Sequence, residues 1–151
     1  MTDAMGVVSI LIGSQEFALD IKSVREIRGW SPPTPLPRAP AYVQGMCDLR
    51  GVVIPIIDLG ARLGLKAIEA KPTSVIIVAQ IRDRLAGLLV DGVSDLIDID
   101  VERLQATPET GSTAPSEVIQ GIFEIDGRIL SLIDLANVIP VELSDTASLA
   151  Q

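Results

Sequence analysis

The chain reads as an all-β protein built from two similar small β units packed together by the faces neither can bury alone, and three observations lead there. First, Gly45–Leu59, Gly-Met-Cys-Asp-Leu-Arg-Gly-Val-Val-Ile-Pro-Ile-Ile-Asp-Leu, reads as two strands pinched at Gly51. Shifted by 76 positions it falls on Gly121–Leu135, with Gly45 over Gly121, Gly51 over Gly127 and Ile57-Asp58-Leu59 over Ile133-Asp134-Leu135. Second, the repeat extends backwards at a shift of 69, where Ile21–Ile27 matches Val90–Leu96 in apolar pattern and in the position of an acid, Glu26 against Asp95. Third, apolar residues make up 48% of the chain but aromatics only 3%, so the core is aliphatic and rich in the β-branched residues that favour strands. Residues 7–58 and 75–134 are expected to superpose as two like units, subdomains about 7–72 and 73–140 of one domain over 1–141, followed by a tail over 142–151.

In chain order, Val7–Ile12 and Phe17–Ile21 flank Gly13-Ser14-Gln15-Glu16 as a hairpin. Val24–Gly29 continues extended; Ser23 and Glu26 have the spacing of a capping box, but a strand is the reading adopted. Ser31–Pro40 holds five prolines and runs as a stiff connection that cannot donate to a ladder. Its spacings Pro32-x-x-Pro35 and Pro37-x-x-Pro40 also suit a proline-reading partner, though a rigid crossover is the commoner use within a globular chain. Pro40–Val43 is expected to make a short turn of helix, and Pro55, within an otherwise buried-looking strand, marks an edge or a bulge. Asp58 and Asp134 each close an apolar strand in the position of an N-cap on a short helix. Lys66–Thr73 links the halves. Thr73–Ile81 and Leu85–Val90 form a hairpin around Arg82-Asp83-Arg84. Ala106–Ser116 is an exposed loop holding most of the seven extra residues of the second half, and truncation after about Val141 should leave the fold intact.

One domain is expected at 151 residues. No apolar run approaches the roughly 18 residues of a membrane span, no basic leader precedes the first strand, and Cys47 is alone, so a reducing, cytoplasmic setting is expected. The net charge of −8 disfavours nucleic acid and anionic membrane as partners. Residues 1–72 carry eight basic and seven acidic groups and residues 73–151 four and thirteen, so the two units should present different faces.

Chemistry is sparse. There is no histidine for acid–base work or metal ligation, and no glycine-rich phosphate loop. Cys47 in an apolar strand reads as a structural thiol, and Asp91, Asp95, Asp98 and Asp100, off the spacing of a calcium loop, as a solvated rim. Neither a catalytic residue, a metal nor a cofactor is expected. The one enzymatic alternative pairs Asp58 with Asp134 as an aspartic dyad, but Leu59-Gly60 and Leu135-Ala136 follow where a dyad needs a small hydroxyl residue and a glycine.

At Val24-Arg25-Glu26-Ile27-Arg28-Gly29, at Val43–Leu59 with its Leu49-Arg50-Gly51, and at Val90-Asp91-Gly92-Val93-Ser94-Asp95, the chain resembles the CheW-type chemotaxis coupling proteins. The resemblance covers about residues 7–139. It departs at Asp48, where Asn is common, and in a heavier proline connection. It implies two interlocked five-stranded SH3-like β-barrels with short helices. It further implies an adaptor, not an enzyme, that couples the cytoplasmic tips of methyl-accepting chemoreceptors to the regulatory domain of the histidine kinase CheA, recruited to membrane-associated arrays without inserting in the membrane. By motif, the receptor side includes Val24, Glu26, Gly29, Gly45 and Arg50, with Val90 and Val93 from the second half. A CheW-like domain separated from a larger kinase or receiver fusion is the rival within the same class. The complete repeat without an appended domain favours a free-standing adaptor.

Overall fold

The computed structural model describes residues 4–105 and 118–139. The expected loop Ala106–Ser116 therefore lies outside the described residues, as does the tail beyond Val141.

Among the described residues, ten strands form two five-stranded sheets. The elements are β1 (Ala4–Ile12), β2 (Gln15–Asp20), β3 (Val24–Gly29), β4 (Val43–Leu49), β5 (Val52–Asp58), a one-turn helix α1 (Leu59–Arg62), β6 (Val75–Ile81), β7 (Arg84–Val90), β8 (Gly92–Asp100), β9 (Ile119–Ile125) and β10 (Arg128–Ile133). Sheet A runs β8-β1-β2-β10-β9 and sheet B runs β3-β6-β7-β5-β4. The repeat equates β1–β5 with β6–β10, so the two sheets have the same order, but neither is built from one half. Each takes its first hairpin from one half and its other three strands from the other, through the parallel pairs β2 with β10 and β7 with β5. Residues 7–58 and 75–134 thus interlock, each sheet drawing strands from both halves.

Two short connections cause the exchange. Asp20 accepts from the Lys22 N–H at 3.0 Å and caps a 3-10 turn over Ile21–Ser23, which carries the chain from sheet A into sheet B. Ser23 thus ends that turn instead of starting a helical one. Between β7 and β8, Asp91 returns the chain to sheet A, its N–H donating to the Leu11 carbonyl at 3.0 Å and its carboxylate accepting from the Gly13 N–H at 2.6 Å.

Each sheet is then closed by an equivalent bridge. Thr34, in the proline connection after β3, exchanges both backbone bonds with Met46 of the far edge strand at 2.7 and 2.8 Å. Gln105, beyond β8, exchanges both with Ile122 of β9 at 2.8 Å. Met46 and Ile122 are repeat mates. The matched glycines beside them are where the closing segments press: a Cβ on Gly45 would lie 2.2 Å from the Thr34 carbonyl oxygen, and one on Gly121 would lie 2.8 Å from that of Gln105. The bridge also commits the Pro32-x-x-Pro35 segment to the fold.

Pro55 corrects a sequence expectation. β5 is an interior strand, between β7 and β4, and the bulge of this pair falls in β4 at Gln44. Proline is tolerated because Met46, opposite it, spends its own backbone groups on Thr34, and the parallel pairing with β7 begins only at Ile56. Pro40–Val43 makes one hydrogen-bonded turn, Val43 N–H to the Pro40 carbonyl, and no helix.

The main core lies between the sheets. Ile10 and Leu19 of sheet A meet Ile57, Ile77 and Leu88 of sheet B, all fully buried and each adding about 1.5–3 kcal/mol of transfer free energy. A smaller core of Val7, Ala18, Phe123, Leu130 and Leu132 fills sheet A's other face, so the neighbours Val7 and Val8 serve different cores by strand alternation. Arg62 and Arg82 lock the last turn: Arg62 donates to the Val138 and Asn137 carbonyls at 2.6 and 2.9 Å, and Arg82 to that of Ala136 at 2.7 Å.

Candidate functional site

The β4–β5 turn is a two-residue Arg50-Gly51 turn with both residues at positive φ, 50° and 91°. Such turns favour Asn, Asp or Gly at the first position, and the repeat-related turn conforms, with Asp126 at φ 50° before Gly127. Arg50 therefore sits where the backbone gains nothing from arginine. Asp48 supports the turn, its carboxylate accepting from the Gly51 N–H at 2.8 Å.

The Arg50 guanidinium reaches across to β3 and donates to Glu26 at 2.5 Å, joining the two edge strands of sheet B. That bond holds the Glu26 carboxyl below its ordinary value, with Arg28, two residues along the same side of β3, acting in the same direction. Arg50 stays 74% exposed, leaving most of its donors open to solvent.

The structure brings Glu26 and Arg50 together and leaves Gly29 exposed at the end of β3. Val24 and Val93, repeat mates at the starts of β3 and β8, are half-buried and pack on the main core. Gly45 and Val90 are buried, so neither offers a side chain to a partner: Gly45 makes room for Thr34, and Val90 is core. Arg28 was not legible as part of this cluster, although its alternation with Glu26 along one strand is the signal that places it there.

Sheet A carries the matched acid but a different arginine. Asp95 pairs with Arg128, two residues beyond Asp126, at 3.2 Å, and Arg128 also binds Glu16 at 2.5 Å and the buried Ser9 hydroxyl at 3.4 Å. Only 32% exposed, Arg128 is consumed by internal partners and depresses both carboxyls. The acidic string is accordingly no uniform solvated rim: Asp91 and Asp95 make the bonds given above, and Asp100 caps a 3-10 turn by accepting from the Glu102 N–H at 3.0 Å. No group of three or more candidate metal ligands occurs among the described residues. Cys47 is half-buried in β4, its thiol 3.8 Å from the Asp48 carbonyl.

The two repeat-related aspartates are caps. Asp58 is buried and accepts from Ala61 N–H at 3.1 Å and Ile68 N–H at 2.9 Å. Burial pushes its carboxyl up, and the acid that adds to this is Asp91, not Asp134. Asp134 accepts from the Ala136 N–H and the Asn137 amide. With each carboxylate spent on its own turn, a shared-proton dyad has no geometric support.

A family model for the CheW-like domain matches residues 6–142. The chain belongs to the CheW-like family. Among CheW relatives, it is 46% identical to the chemotaxis protein CheW of Rhizobium meliloti, over 93% of this chain and 90% of the relative. It is 50% identical to a probable chemotaxis protein CheW of Rhizobium etli, over 85% and 83%. The crystal structure of the scaffolding protein TtCheW from Thermoanaerobacter tengcongensis matches with a TM-score of 0.84 at 29% identity, covering 93% of this chain and 91% of that one. Two interlocked five-stranded sheets are thus the architecture this CheW-like chain shares with a solved scaffold.

Proposed function

We propose that this chain is a non-catalytic adaptor of chemotaxis signalling, coupling the cytoplasmic tips of chemoreceptors to the regulatory domain of the histidine kinase CheA in the cytoplasm, at membrane-associated arrays. The observation that carries this reading is Arg50: a guanidinium on a turn whose backbone favours another residue, oriented by one carboxylate and 74% exposed among the described residues. A planar fork of donors held this way suits the carbonyls and carboxylates of a helical hairpin partner, and pre-orientation by Glu26 lowers the entropy lost on binding. Family membership supports the adaptor class, and Gly29, Val24 and Val93 complete the receptor-facing set that the motifs suggest.

Binding measured by pull-down and calorimetry with a receptor cytoplasmic fragment and with the kinase regulatory domain, separately and together, tests this. Binding to both, with receptor affinity dependent on Arg50, is the expected result. Failure to bind either, or nucleotide hydrolysis that follows the chain through purification, overturns it.

A further inference from the structure

The edge strands of sheet B, β3 and β4, exchange no backbone hydrogen bond among the described residues. The gap between them is crossed instead by a backbone tie, Thr34 with Met46, and by a side-chain tie, Glu26 with Arg50. Arg50 lies four residues beyond Met46, about 13 Å at strand rise. Thr34 sits among Pro32, Pro33, Pro35 and Pro37, whose fixed φ stiffens the segment, so the bridge holds the gap at one width.

Sheet A is closed by the same kind of bridge but without the stiffening. Its bridging residue, Gln105, is reached from β8 through Val101–Leu104, which contains no proline. There the turn mate of Arg50 is Asp126, and Asp95 pairs with Arg128 of the interior strand β10. The prolines therefore occur in the sheet that has an arginine on its turn to position. Among the described residues, the buried side-chain polar atoms that lack a hydrogen-bond partner, Trp30 Nε1 and Gln44 Oε1, flank this same connection. Each carries an uncompensated desolvation cost, so this closure is not what stability alone favours, and such local violations belong at functional positions.

We infer that Thr34 is a positioning residue for Arg50: its backbone bridge to Met46 sets the width of the gap, and with it the reach of Glu26 to the guanidinium that meets the receptor. This rests on the receptor reading of Arg50 given above. Glu26 restricts the guanidinium only while the gap keeps that width. Loss of the bridge thus returns rotamer freedom to Arg50 and weakens receptor binding without removing Arg50 or Glu26.

Thr34→Pro removes the N–H that donates to the Met46 carbonyl, and Thr34→Ala, which keeps both backbone bonds, is its control. Circular dichroism and urea unfolding check that each variant folds, and two readouts then separate positioning from stability. By NMR titration of the side-chain carboxyls, Glu26 should rise to the ordinary carboxylate range in Thr34→Pro and stay depressed in Thr34→Ala. By calorimetry, Thr34→Pro should weaken a receptor cytoplasmic fragment about fivefold in the wild-type background and less than about twofold in the Arg50→Ala background, as for residues that act through one another. If Thr34→Pro does not fold, Pro33→Gly combined with Pro35→Gly, which keeps the bridging residue but slackens the segment around it, takes its place with shifts in the same directions. A folded variant whose Glu26 stays depressed, or equal losses of receptor affinity in the two backgrounds, overturns the proposal. If Arg50→Ala binds the receptor fragment like wild type, the receptor reading itself fails, and the Glu26 titration still decides whether Thr34 holds the ion pair.

Discussion

Arg50 and Glu26 face each other across the two edge strands of sheet B, 24 residues apart in sequence and 2.5 Å apart at their charged atoms. Because Arg50 is largely exposed, the pair is screened and contributes little to folding. Arg50→Ala should leave the melting temperature within a few degrees of wild type and weaken a receptor fragment by about tenfold or more, as for an interface arginine, with kinase binding changed much less. Calorimetric titration against each partner checks this, and an unfolded variant or a selective loss of the kinase would assign Arg50 elsewhere.

Arg50→Asn separates the turn from the interaction. Asn is favoured at positive φ in a two-residue hairpin turn, so this variant should melt at or slightly above the wild-type temperature while losing receptor affinity as Arg50→Ala does. A lower melting temperature than the alanine variant would show that Arg50 supports the turn.

Gly45→Ala should be severely destabilising, because its Cβ would fall 2.2 Å from the Thr34 carbonyl oxygen, backbone that also closes the sheet. A loss of about 2–4 kcal/mol in urea unfolding is expected. Gly29→Ala, with nothing within 4 Å of its Cβ, should unfold like wild type.

The two capping aspartates should behave unequally. Asp58→Ala leaves the Ala61 and Ile68 N–H groups without their acceptor in buried surroundings, a loss of about 2–4 kcal/mol. Asp134→Ala removes a more exposed cap, costing about 0.5–1 kcal/mol. Equal losses by denaturant titration would refute the asymmetry.

Acid sensitivity should trace to Arg128. Glu16 and Asp95 are held below their ordinary values chiefly by hydrogen bonds from Arg128, so the stabilisation is complete above the ordinary carboxylate range and disappears as pH falls through the depressed folded-state values. Asp58 acts oppositely: its raised value favours the folded state as the carboxyl protonates. Arg128→Ala should flatten the acid limb of a melting-temperature profile between about pH 5 and pH 2. An unchanged limb would place acid sensitivity in other carboxylates.

The sequence by itself determined the strands, their turns and their pairing as equivalents, since strand alternation, β-branched runs and left-handed turn residues are local and act over a few residues. It also carried the caps at Asp58 and Asp134 and the motif around Arg50. Which copy of a strand pairs with which was decided only by tertiary structure: a repeat states equivalence, and a three-residue turn at Ile21–Ser23 is enough to deliver β3 to the other sheet. The same holds at Pro55, whose tolerance depends on where Met46 spends its hydrogen bonds, and at Gly45 and Val90, whose burial comes from segments distant in the chain. The Glu26–Arg50 pair belongs with these, because only closure of the sheet through Thr34 and Met46 brings its two edges within reach of one ion pair.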